Sequence, residues 1–151
     1  MNVESLIKGK VAESAVELLL EQSGYKVVRI ANDGLPLGLH RSDIGCLNQS
    51  NSAGKITTAP SLAVFDKKKG SVVLVKVKFK GAKSKGGNIT HGITQLIKYW
   101  PEAILIVVTT EDPYFQLVRC PGESEDIESI FPQIKKETLS GFGGTVKKIL
   151  K

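Results

Sequence analysis

The chain has 151 residues, 41% hydrophobic and 24% charged, with a formal net charge of +6 and a pI near 9.3. These figures describe a single soluble domain, residues 1–151, with a full core, and they exclude a low-complexity or membrane-spanning chain. The basic balance favours a polyanionic partner such as nucleic acid.

In chain order, the apolar spacing of Leu6, Val11, Ala15, Leu18 and Leu19 predicts a helix over 6–23, with Gly24 just past its end. Glu4, Lys8, Lys10, Glu13 and Glu17 interrupt the N-terminal segment, so it does not read as a signal peptide, and an intracellular, cytoplasmic setting is expected. A short strand is predicted over 25–30. Residues 32–59 are rich in Gly, Ser, Asn and Pro and read as a long flexible loop, with a mobile tip at 48–54 and short strands near 35–39 and 43–47. Cys46 and Cys120 stand apart with no CxxC pair, which argues against zinc and for a reduced protein.

Strands over 61–65 and 71–81 flank the turn 66–70, whose sequence is DKKKG, and should pair as a hairpin. The second strand alternates strictly. Val73, Val75, Val77 and Phe79 face one side; Leu74, Lys76, Lys78 and Lys80 face the other. Stacked lysines must look onto water, onto carboxylates or onto an anionic ligand. A solvated edge strand is the plain reading, and an anion-binding face is the functional one. Beyond it lie a basic glycine-rich loop over 81–88 with Lys83 and Lys85, and a helix over 90–100. The continuous apolar run 103–109 reads as a strand buried on both faces. A strand over 113–120, an acidic helix over 124–134, a flexible GFGG segment and a basic helix over 145–151 complete the prediction. The order of elements argues for an α/β fold with a mixed sheet flanked by helices.

Four segments then form a pattern: Glu13 on the first helix, Pro60-Ser61 opening a strand, Lys76-Val77-Lys78 on the next, and Gln95 with Tyr99 on the helix that follows. The pattern resembles the PD-(D/E)xK nuclease superfamily, in the style of archaeal Holliday-junction resolvases and RecB-type nucleases. The resemblance spans roughly 6–109 and implies a restriction-endonuclease-like fold. In that family, acids at the proline-linked and strand positions hold Mg²⁺, and the strand lysine orients the attacking water. The resemblance makes Glu13 the helix acid, Lys78 the catalytic lysine, and Gln95 and Tyr99 the supporting helix motif. Ser61 and Lys76 stand where the two principal acids belong.

A serine is a weak ligand, and a lysine puts positive charge where the cation would sit. The expectation is therefore a nucleic-acid-binding protein, with DNA as the polymer, no resident metal and impaired catalysis. Lys76, Lys78, Lys80, Lys83 and Lys85 would contact phosphates, with Tyr99 against the nucleic acid. Glu13 would form a salt bridge with Lys76 or Lys78. Two alternatives remain open. One is an active Mg²⁺-dependent nuclease using Glu13 with Asp43 or Asp66. The other is a non-catalytic assembly subunit or homodimer anchored through Trp100. Plain structural roles also exist for several of these residues, such as Glu13 as a surface acid and His91 as a helix-start residue.

Overall fold

The computed structural model describes residues 3–32, 35–48, 50–82 and 87–151. The first helix, α1 (Val3–Gln22), ends in a left-handed glycine: Gly24 has φ +96°, and the Tyr25 N–H returns to the Leu20 carbonyl at 3.1 Å. Strand β1 (Lys26–Arg29) follows, then β2 (Ala31–Asn32) and β3 (Leu35–Pro36), which pair with each other in a small separate ribbon. Two short helices, α2 (Arg41–Ile44) and α3 (Asn51–Thr57), lead into β4 (Leu62–Asp66) and β5 (Ser71–Lys80). The chain continues as α4 (Gly87–Tyr99), β6 (Ile104–Thr109), β7 (Phe115–Val118) and β8 (Glu125–Asp126). A 3-10 turn (Ile127–Ser129) and the last helix, α5 (Lys136–Leu150), close it.

The fold is α/β, with a six-stranded mixed sheet in the order β1-β4-β5-β6-β7-β8 and helices on both faces. All neighbours are antiparallel except β5 and β6, which run parallel and so need the crossover that α4 provides. Helices α1 and α5 cover one face, where Ala12, Val16, Leu19, Leu20 and Val146 pack on Leu62, Val64, Val75, Val77 and Ile106. Helix α4 covers the other, with Ile93 and Leu96 on Leu105, Val107 and Val118. This is why β6 is apolar throughout: both of its faces lie inside a core. No helix among the described residues is long and apolar enough to cross a membrane.

The hairpin forms as its sequence predicts. Asp66 Oδ1 accepts the N–H groups of Lys68 (3.0 Å) and Lys69 (3.1 Å), and Gly70 takes φ +66° to close the turn. The register Leu62↔Val75 through Asp66↔Ser71 makes β5 a central strand, so its lysines are not those of a solvated edge.

Several other expectations are corrected. The buried stripe of α1 is Ala12, Glu13, Val16, Leu19 and Leu20, one position away from the predicted one, and Leu18 points outward. Within 32–59 the 43–47 segment is partly helical, and the predicted mobile tip enters α3. The Ser50 hydroxyl caps that helix by accepting the Ala53 N–H at 3.1 Å. The acidic segment is a short edge strand and a 3-10 turn, held by Asp126 pairing with Gln116 and by an Arg119–Glu125 ion pair of 3.0 Å. The GFGG segment lies inside α5. Gly143 faces the Tyr114 ring so closely that a β-carbon there would collide with it, so packing explains this glycine.

Candidate nucleic-acid interface

Alternation along β5 sends Val75 and Val77 into the α1 core and Lys76, Lys78 and Lys80 toward α4. Parallel pairing sets these lysines beside Leu105, Val107 and Thr109. The lysines therefore emerge from the rim of an apolar layer, and burial is what they must overcome.

Lys76 solves this with its own chain. Its ammonium donates to the carbonyl of Ala59 at 2.9 Å, just before β4 begins. Ser61, only 2% exposed, follows two residues later, and its N–H donates to the Val75 carbonyl at 2.8 Å. Continuing the β4–β5 register by one step places Ser61 opposite Lys76 on the same face. The two positions at which the family resemblance expects acids are thus brought together. Burial, and then the charge of Lys78, push the Lys76 ammonium down to about 8; the charge of Glu13 opposes that fall.

Lys78 is held differently. Its side chain runs to Gly92 on α4, where a β-carbon would sit 2.7 Å from Nζ. The missing side chain at Gly92 creates the slot between helix and strand. Burial also holds the Lys78 ammonium below its ordinary range. Gln95 lies one turn further along α4, half-buried. Lys80 is half-buried at the end of β5. Lys83 and Lys85 lie outside the described residues. Lys67, Lys68 and Lys69 sit on the exposed hairpin turn at the far end of the strand, so the basic cluster is divided in two.

Glu13 is 4% exposed and not a surface acid. Among the described residues its ion-pair partner is Arg29 of β1, Nη1 to Oε2 3.9 Å, and not Lys76 or Lys78 as expected. Arg29 also donates to Glu17, which orients its guanidinium between the two carboxylates. A guanidinium suits this place because it forks to two acids, whereas each lysine is already directed elsewhere.

Tyr99 and Trp100 join α4 to α3. The Tyr99 ring lies on Gly54, and the Trp100 indole N–H donates to the Lys55 carbonyl at 3.0 Å. Trp100 is half-buried and engaged within the chain by this bond. The Lys98 ammonium lies 5.0 Å from the Tyr99 ring centre.

The candidate substitute acids are remote or engaged. Asp43 is exposed on α2 and accepts the His40 N–H at 2.8 Å. Asp66 ends β4, about 17 Å along the strand from Ser61 at the usual rise. One carboxylate, one hydroxyl and one ammonium do not suit Mg²⁺, which takes several oxygen ligands. Among the described residues no group of three His, Cys, Asp or Glu stands together.

Sequence reasoning missed Ala59, Gly92 and Arg29. A glycine inside an apolar helical pattern is a legible signal of close packing. The carbonyl of Ala59 had no signal at all, because every residue carries one. No family model matches the chain, and no curated protein sequence matches it.

Proposed function

We propose that this chain binds nucleic acid, with DNA as its polymer, through the α4-side lysines of β5. We further propose that its scaffold is that of a PD-(D/E)xK nuclease with an altered metal site. The observation that carries the reading is the lysine pair: Lys76 anchored on Ala59 opposite Ser61, and Lys78 lodged at Gly92. Two partly buried ammonium groups on adjacent same-side positions repel each other and fit an anionic ligand better than an apolar one. The element order supports the resemblance. A helix precedes three antiparallel strands, and a crossover helix returns to a strand parallel to the third.

Under this reading Lys78 and Lys80 contact phosphates, and Lys76 supplies a fixed positive charge where the family places an acid. Lys76 cannot then assemble a divalent cation, so binding proceeds without hydrolysis. The positions of Asp43 and Asp66 weigh against a rearranged nuclease site.

Fluorescence anisotropy with labelled duplex and single-stranded DNA over graded salt tests the reading, with a gel assay for cleavage in Mg²⁺ or Mn²⁺. The expected result is salt-sensitive, sequence-independent binding with intact DNA. Absence of binding at low salt overturns it. Metal-dependent cleavage that Lys78→Ala abolishes would instead make the chain an active nuclease.

A further inference from the structure

The amine of Lys76 has surroundings unlike those of a surface lysine. Its strand is central, Leu105 of β6 is its parallel neighbour, and its Nζ reaches the Ala59 carbonyl at 2.9 Å. Ala59 is buried, and Ser61, also buried, stands opposite Lys76 on the same sheet face. Lys78 follows on that face, about 7 Å further along the strand at the usual rise. Its own ammonium is lodged at Gly92 of α4. Two half-buried amines are thus held by the chain on adjacent same-side positions.

We propose that Lys76 is a carbon dioxide site, its amine adding CO₂ to form a carbamate between Ser61 and Lys78. The step balances without a further reagent. The amine lone pair attacks the carbon of CO₂, a nitrogen–carbon bond forms, and the π pair of one C=O bond moves onto its oxygen. The nitrogen then releases one proton to water. Nothing is oxidised or reduced, and an ammonium of charge +1 becomes a carbamate of charge −1. The nitrogen keeps one hydrogen, so its bond to the Ala59 carbonyl survives the reaction. The Ser61 hydroxyl and the Lys78 ammonium are donors suited to the two new carboxylate oxygens.

Lys78 acts twice in this scheme. Before the reaction its charge, together with burial, favours the neutral and nucleophilic form of Lys76 near pH 8. Afterwards the same charge compensates the carbamate. Glu13 of α1 opposes both effects, and its own charge is met by Arg29 of β1 at 3.9 Å. Gln95, the half-buried residue one turn beyond Gly92 on α4, is neutral. Size selects the electrophile: a half-buried amine flanked by Ala59 and Ser61 admits CO₂ more readily than a bulky aldehyde or acyl donor. The carbamate reverses a charge on the lysine face, so CO₂ should weaken DNA binding there. That consequence rests on the nucleic-acid reading; the carbamate itself does not.

Carbon-13 NMR of the full chain in ¹³C-bicarbonate buffer, without nucleic acid, tests the proposal and keeps its failure separate from a failure of binding. A protein-bound carbamate resonance is expected above about pH 8, fading as Lys76 protonates below it. Trapping the carbamate as its ethyl ester, followed by peptide mass mapping, should place it on Lys76. Lys76→Met and Lys76→Arg should each abolish the signal, and Lys78→Ala should weaken it; circular dichroism checks that each variant is folded. In anisotropy at fixed pH and salt, CO₂ should lower the DNA affinity of the protein about tenfold, because two units of charge change beside the phosphates. The affinity of Lys76→Arg, which keeps the charge but not the reactive amine, should not respond. Absence of the resonance overturns the proposal. So does a carbamate mapped only to the N-terminal amine, or a signal that persists in folded Lys76→Met. A response to CO₂ retained by Lys76→Arg removes Lys76 as its cause.

Discussion

The ammonium of Lys76 donates to the carbonyl of Ala59 at 2.9 Å, tying the middle of β5 to the segment that carries α3 into β4. A strand lysine is thereby fixed in place by a main-chain carbonyl. The arrangement leaves the charge partly desolvated, and a partly desolvated cation is sensitive to both pH and anions.

The pH dependence follows from that burial. Lys76 titrates at about 8 in the folded protein, against 10.5 ordinarily. Between these values the unfolded chain binds the proton and the folded one does not, so this group makes stability rise with pH. Below about 8 its penalty is fully present; by 10.5 it is relieved, a change of roughly 3 kcal/mol. Urea unfolding of the protein and of Lys76→Met across this range should show the rise in the former and its loss in the latter. Affinity for a polyanion should run the other way and fall as pH passes through about 8, where Lys76 loses its charge.

Phosphate contact by Lys78 and Lys80 should appear in the salt dependence. Lys78→Ala and Lys80→Ala should each lower the slope of log affinity against log salt by about one unit. A titration by anisotropy at several salt concentrations measures this. Slopes unchanged in both variants would remove these residues from the interface.

Two helix glycines should behave oppositely. At Gly92 a β-carbon meets the flexible end of Lys78, so Gly92→Ala should leave the protein folded. It should even gain up to about 1 kcal/mol in helix propensity while displacing the ammonium and weakening DNA binding. At Gly54 the β-carbon meets the Tyr99 ring, which cannot step aside as easily. Gly54→Ala should loosen α3 and destabilise the protein by about 1–3 kcal/mol. Trp100 is the sole tryptophan and donates to Lys55 of α3, so its fluorescence should shift to the red as the contact opens.

The proposed resemblance to the nuclease family predicts that a metal site can be restored. Ser61→Asp with Lys76→Glu places two carboxylates opposite each other beside Lys78 and near Glu13. The double variant should bind Mn²⁺ in calorimetry where the parent does not, because a hard cation needs those oxygens. A folded double variant with no Mn²⁺ uptake would count against the family resemblance.

Much of the fold was legible because its signals are local. Alternation in 71–81, the DKKKG turn and the continuous run of β6 each carry their own structural instruction, and all three formed as read. The same alternation put Lys76 and Lys78 on one face, and the hairpin register brought Ser61 opposite Lys76. Tertiary contacts decided the rest. Helix α3 lacks a buried residue of its own and is held by Tyr99 and Trp100 from far along the chain. The burial of Glu13 beside Arg29 depends on how α1 settles on the sheet, which apolar spacing alone misjudged by one position. The carbonyl of Ala59 became the partner of Lys76 only because β4 and β5 converge there. Local periodicity thus determined which residues share a face. Which groups meet across that face was decided by packing, because desolvated charges take the nearest partner that the assembled core presents.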